Sequence, residues 1–189
     1  SLAGKTLVVT AGGTREPIDP VRFLGNKSSG RQGLAIAAAA QRAGARVRVI
    51  AANIDDSVMA CLPSSVEVTR VGSAQQMREA TLAQVRGADA LVMTAAVADF
   101  RPEATHASKM KKDPSTSDAP TLRLVRNPDI LSEVGHSVTR PPLVVGFAAE
   151  TGTDEQILAY GADKAARKGA DYIALNRVGA GVGFGDVPN

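Results

Sequence analysis

Residues 10–34 read TAGGTREPIDPVRFLGNKSSGRQGL, and this stretch decides the fold. It opens at the end of the apolar run TLVVT (residues 6–10) and leads into a small-residue helix with Ser28, Ser29, Gly30 and Arg31 at its start. A strand that passes through glycines to a helix N-terminus is how α/β proteins hold phosphate, because unpaired backbone N–H groups and the positive end of the helix dipole face the anion. The chain is expected to bind a nucleotide or another phosphate ester there, close to Gly12.

The glycine spacing is unusual. Gly12 and Gly13 are separated from Gly30 and Gly33 by a long insert carrying Arg15, Asp19, Arg22 and Asn26, so the tight G-x-G-x-x-G turn of dinucleotide sites is absent. An NAD site would also place an acid at the end of the second strand to hold the ribose. Here that strand ends in Ala51, Ala52 and Asn53, with Asp55 and Asp56 just beyond, which argues against NAD without excluding it.

Outward from this stretch, strands alternate with helices. Residues 6–10 and 46–52 read as buried parallel strands around a helix over 33–43 that Gly44 stops. Residues 66–71 alternate as a third strand; Ser73 caps a helix through Val85, and residues 89–95 (DALVMTA) form a fourth strand. Asp99 follows at a carboxyl end of the sheet, where a ribose hydroxyl or a metal would be held, or where an aspartate would simply close a turn. Residues 101–120 are polar and carry Lys109, Met110, Lys111 and Lys112, a lid able to close over phosphates or a solvated loop. Residues 121–126 (TLRLVR) alternate as a half-exposed strand, free to pair as a hairpin or with a second subunit. A helix opens at Asn127, Pro128 and Asp129 and continues to Val138. Residues 143–149 make another buried strand. A helix from Thr153 or Asp154 brings Lys164 and Lys168 onto one face, and residues 172–176 close the series. The tail GAGVGFG (179–185) follows a strand but opens no helix, and reads as a loop.

Composition bounds the function. A chain of 189 residues, 44% of them hydrophobic, is expected to be one domain with a real core, and Ser1–Gly4 reads as a cut end. No secretory or membrane-length run is present, so a cytoplasmic location is expected. The single Cys61 is expected to be a small buried thiol. With only His106 and His136, a zinc site is not expected. A net charge of +3 with 3% aromatics fits anionic small molecules rather than nucleic acid.

The run GGTREPIDPVRFLGNKSSGRQG resembles the phosphopantothenate-cysteine ligases (phosphopantothenoylcysteine synthetases) of coenzyme A biosynthesis, whose signature is TREPxDPVRxxxNxSSG. AAVADF at 95–100, KMKK at 109–112, NPDI at 127–130, GFAAET at 146–151 and the Asn176 region are similar to further family motifs in family order. The Lys-x-Lys-Lys form resembles the bacterial, CTP-using members. Residues 25–31, GNKSSGR, depart from the commoner SNHSSGK at positions that keep charge or flank Asn26.

The resemblance implies a Rossmann-like three-layer α/β fold with a mostly parallel sheet, a lid loop, and a strand extension at 121–126 used in homodimerisation. It implies one ligase domain over 1–189, C-terminal to a fused decarboxylase whose FMN is not bound here, with a further strand beyond Phe184. The implied substrates are CTP, phosphopantothenate and L-cysteine, with Mg2+ or Mn2+ as cofactor. No nucleic acid or membrane partner is implied. It assigns Ser29 and Gly30 to the triphosphate and Asn26 to the acyl-nucleotide intermediate. Arg22 would reach the neighbouring site of the dimer, Asp99 the ribose or metal, and Lys109 the nucleotide from the lid. Ala95 and Phe147 would flank the base; Pro128, Asp129, Ile130, Leu131, Lys164 and Lys168 are further nucleotide contacts. Two other readings stand beside it. One is an NAD(P) oxidoreductase, with Tyr160 and Lys164 at Tyr-x-x-x-Lys spacing but after the wrong strand; the other is a non-catalytic nucleotide-binding module.

Overall fold

A computed structural model of the chain describes residues 1–112 and 114–177, with Arg177 described by its backbone. The run at 179–185 and the expected strand beyond Phe184 lie outside the described residues. Five strands were expected to follow the opening one in the main sheet, and among the described residues five do. β1 (Thr6–Gly12) is followed by a short hairpin, β2 (Arg15–Pro17) and β3 (Phe23–Gly25), and by α1 (Arg31–Arg42). Then come β4 (Arg46–Ala52), α2 (Asp56–Met59), β5 (Glu67–Val71), α3 (Ala74–Gln84), β6 (Ala90–Met93) and β7 (Phe100–Pro102). The described chain closes with β8 (Leu124–Arg126), α4 (Ile130–Gly135), β9 (Leu143–Glu150), α5 (Asp154–Lys168) and β10 (Tyr172–Arg177).

Among the described residues the main sheet is parallel, in the order β10-β9-β6-β1-β4-β5. From β1 the chain builds outward through β4 to β5, then crosses back to build β6, β9 and β10 on the other side. The order therefore reverses between β1 and β6, the place where open α/β sheets bind ligands.

Side-chain alternation along β1 and β4 divides the core into two layers. Val9, Ala11, Val47 and Val49 face Leu34 and Ala37 of α1, whereas Val8 and Ile50 join Leu91 and Val144 against Met77 of α3 and Ile130 and Val134 of α4. The alanines of α1 let it lie close on β1 and β4. Ser73 and Thr153 each close a capping box with the glutamine three residues on, Gln76 and Gln156, which fixes where α3 and α5 begin.

Several boundaries differ from expectation. α4 ends at Gly135 rather than Val138: His136 caps it, and residues 137–142 turn through Pro141 and Pro142 into β9. β6 stops at Met93 because Thr94 turns its hydroxyl back to the Thr10 carbonyl at 2.6 Å. Of residues 121–126 only Leu124–Arg126 is a strand, paired antiparallel with β7 inside the chain. Cys61 is exposed, not buried, because it follows α2, a single turn with no buried residue.

Candidate active site

The signature insert folds into a hairpin whose polar residues are consumed in anchoring it. Thr14, wholly buried, accepts the Ala98 amide on its hydroxyl at 2.9 Å, tying the insert to the segment after β6. Glu16, 2% exposed, accepts the Ala74 amide at the start of α3 at 2.8 Å. Asn53 adopts a left-handed φ of 50° and donates its amide to the carbonyls of Gly13 and Gly72 at 2.9 and 2.8 Å. These three side chains knit the loop ends of β1, β4, β5 and β6 together.

Within that frame the glycine turn between β1 and α1 is backbone-lined. Gly12 has φ 87° and a Cβ there would sit 2.0 Å from the Ala52 carbonyl oxygen; Gly30 has φ 79° and a Cβ would sit 2.3 Å from the end of Ile54. Only glycine fits either place. Gly30 is also the N-cap of α1, without a side-chain cap, and the first turn of the helix carries no acidic residue. Ser29 immediately precedes it, half-buried; Gln32 of the first turn accepts the Asn176 side-chain amide at 3.2 Å, which joins the end of β10 to this corner.

At the carboxyl ends of β6 and β9 lies a cavity of about 440 Å³, and Gly12, Ser29 and Gly30 are not among the residues that line it. Ala95 and Asp99 line it from the segment after β6; Pro128, Asp129, Ile130 and Leu131 from the start of α4; Phe147 from β9; and Lys164 and Lys168 from α5. Every one of these residues was expected to touch nucleotide. Arg126 and Asn127 line it as well. Arg126 adds a third cation. Asn127 pins the two walls together, donating its side-chain amide to the Ala98 carbonyl and its backbone N–H to the Asp99 carbonyl, both at 2.8 Å.

The electrostatics of the cavity centre on Asp129. Its carboxylate accepts the Ser132 amide at 3.0 Å, capping α4, and pairs with the Lys168 ammonium. Partial burial opposes the charge, but Lys168, the Ser132 amide and the nearby Lys164 outweigh it and hold the carboxyl below its ordinary value. Lys164 also lies 5.8 Å from the centre of the Tyr160 ring, so the Tyr160–Lys164 spacing is a helix-surface contact. Asp99 is exposed, and among the described residues no three His, Cys, Asp or Glu side chains converge as a metal site.

Asn26, Arg22 and Lys109 do not line this cavity. Asn26 follows β3, exposed; Lys109 is exposed in the lid. Arg22 donates to Asp19 at 2.9 Å and to the Met110 carbonyl of the lid at 2.7 Å, and with Phe23, Gly72 and Gln76 it lines a second cleft of about 420 Å³. The lid is not a free loop. His106 and Thr105 bond the carbonyls of Ile18 and Pro17 at 2.9 and 3.3 Å, so it rests on the insert. Sequence reasoning missed Thr14, Glu16, Asn53 and Asn127 as anchors; the Asp-Pro pair at 19–20, a turn former, was the one visible sign that Asp19 is structural.

A parallel sheet that reverses its order between β1 and β6, with a glycine-lined helix start and a cation-walled cavity at its carboxyl edge, defines a Rossmann-like α/β domain. The family model described as "DNA/pantothenate metabolism flavoprotein C-terminal domain" matches residues 2–189, and the chain belongs to that family. It is 47% identical over 189 residues to the coenzyme A biosynthesis bifunctional protein CoaBC of Mycobacterium tuberculosis, covering 97% of this chain and 44% of that protein. It is 42% identical to the CoaBC of Vibrio parahaemolyticus, over 100% of this chain and 45% of the relative. The crystal structure of the C-terminal domain of a CoaBC superposes with a TM-score of 0.76 at 36% identity, covering 92% of this chain and 78% of that one. The chain thus spans less than half the length of the bifunctional relatives it matches.

Proposed function

We propose that this chain is a phosphopantothenate-cysteine ligase domain that uses CTP. The observation that carries the reading is that nine expected nucleotide contacts, scattered from Ala95 to Lys168, line one cavity at the carboxyl edge of the sheet. In the reaction the phosphopantothenate carboxylate attacks the α-phosphate of CTP and pyrophosphate leaves. The cysteine amine then attacks the acyl-cytidylate carbonyl and CMP leaves. A carboxylate is a poor acyl donor, so the protein's task is to neutralise phosphate charge and align the groups.

In this reading the backbone at Gly12, Ser29 and Gly30 cradles the triphosphate, and Lys164, Lys168 and Arg126 balance its charge. Asp129 keeps Lys168 in place until phosphate competes for it. Phe147 and the backbone at Ala95 flank the base. Asn26 hydrogen-bonds the acyl phosphate without adding charge, Lys109 contacts nucleotide from the lid, and Arg22 acts across a homodimer whose interface includes residues 121–126. Magnesium or manganese fits a site of one carboxylate, Asp99, with triphosphate oxygens and water completing the shell, and supplies charge neutralisation when bound. A fused decarboxylase domain carrying FMN, and a cytoplasmic setting, follow from the same reading; among the described residues no helix is long and apolar enough to cross a membrane.

The test is pyrophosphate release by the purified protein with phosphopantothenate and Mg2+, comparing CTP with ATP. Release that needs phosphopantothenate and prefers CTP is expected. Release with neither nucleotide, together with a thermal shift from NAD(P), overturns the reading.

A further inference from the structure

The three residues expected to do the chemistry, Asn26, Arg22 and Lys109, sit outside the cavity, on two segments 83 positions apart at their nearest named pair if Asn26 and Lys109 are compared. Asp19 and Arg22 join those segments at Met110. Asp19, with its side chain wholly buried, accepts the amides of Val21 and Arg22 at 2.9 and 2.8 Å and the Arg22 guanidinium at 2.9 Å, all from the insert. The oxygen that takes the guanidinium, Oδ2, also accepts the Met110 amide of the lid at 3.2 Å, while Arg22 donates to the Met110 carbonyl at 2.7 Å. Both backbone groups of Met110 are thereby held by one ion pair of the insert. Met110 is the residue after Lys109.

We propose that Asp19 is a positioning residue: through Met110 it fixes Lys109 of the lid against the insert that carries Arg22 and Asn26. A buried carboxylate is costly unless its lone pairs are filled, and here the lid amide fills part of that demand. The lid therefore docks at one register, set by Met110, instead of closing as a free flap. The proposal rests on the ligase reading for what Lys109 does, but the docking itself does not.

Limited trypsin digestion of the protein without substrates reads the docking directly. Cleavage of the Lys109–Met110 bond requires Met110 to leave Asp19 and Arg22. Asp19→Asn should raise its rate about tenfold relative to sites elsewhere. Arg22→Ala, at a side chain that is 46% exposed and so tolerated by the fold, should raise it likewise if Asp19→Asn does not fold. Unchanged cleavage at Lys109 in the folded variants overturns the proposal. In the ligase assay, Asp19→Asn and Lys109→Ala should each slow turnover by about tenfold to a hundredfold. The double variant should be no slower than Lys109→Ala alone, and additive losses overturn the positioning role. Digestion needs no activity, so a failed latch and a failed ligase reading give different results.

Discussion

Asn26 is exposed and its side chain makes no hydrogen bond among the described residues, whereas Thr14, Glu16 and Asp19 of the same signature are buried and bonded. The division separates residues that build the insert from one that stays exposed, which the ligase reading gives to the acyl phosphate. Asn26→Ala should therefore leave folding and CTP binding intact while lowering turnover by about a hundredfold or more, the loss expected for a removed transition-state donor. Titration calorimetry beside steady-state kinetics checks it. Asp19 makes a different prediction. Burial alone would raise its pKa, but the amides of Val21, Met110 and Arg22 and the Arg22 guanidinium outweigh burial and hold it far below the ordinary 3.8. A lowered folded pKa means stability that is fully present above 3.8 and is lost as pH falls below it. Melting temperatures from about pH 6 to about pH 2.5 should fall less steeply in Asp19→Asn than in the parent.

The helices α3 and α5 start at Ser73 and Thr153 because each has a complete capping box, and Thr153 holds the helix that presents Lys164 and Lys168. Thr153→Ala should cost about 1 kcal/mol, a drop in melting temperature of about 2–4 °C for a chain of this size, and should weaken CTP binding modestly. Calorimetry reads the first and a binding isotherm the second. Elements of this kind were legible in the sequence. Apolar runs gave the parallel strands, and Ser73, Thr153 and Asp129 marked helix starts, because these signals are local. What escaped was held by tertiary bonds: the β2–β3 hairpin, stapled to α3 by Glu16, and the lid's seat on residues 17–22. The polar lid sequence looked like solvated loop because, apart from the Thr105 hydroxyl, its anchors named above are the backbone groups of His106 and Met110, which carry no residue signature. Residues 121–126 failed as a full strand for a related reason: alternation predicts a face, but only Leu124–Arg126 finds a partner, at β7.

At the scale of the molecule, the apolar side chains of Phe23, Leu24, Phe100 and Leu124 stay exposed on the two small sheets, with Leu122 exposed just before one of them. A homodimer that covers this face would bring Arg22 toward a second site. Leu124→Asp should then yield monomers by light scattering with an unchanged melting profile at low concentration, and a persisting dimer would place the interface elsewhere. The sheet reversal between β1 and β6 puts the glycine turn and the cavity at the same edge of the sheet, and the proposed ligase reading gives that arrangement a reaction. The most direct test of the account is formation of the amide itself. Purified protein with CTP, phosphopantothenate, L-cysteine and Mg2+, followed by mass spectrometry, should yield phosphopantothenoylcysteine and CMP in equal amounts, with no amide when CTP is omitted. Nucleotide binding without amide or CMP under any combination of these substrates would contradict it.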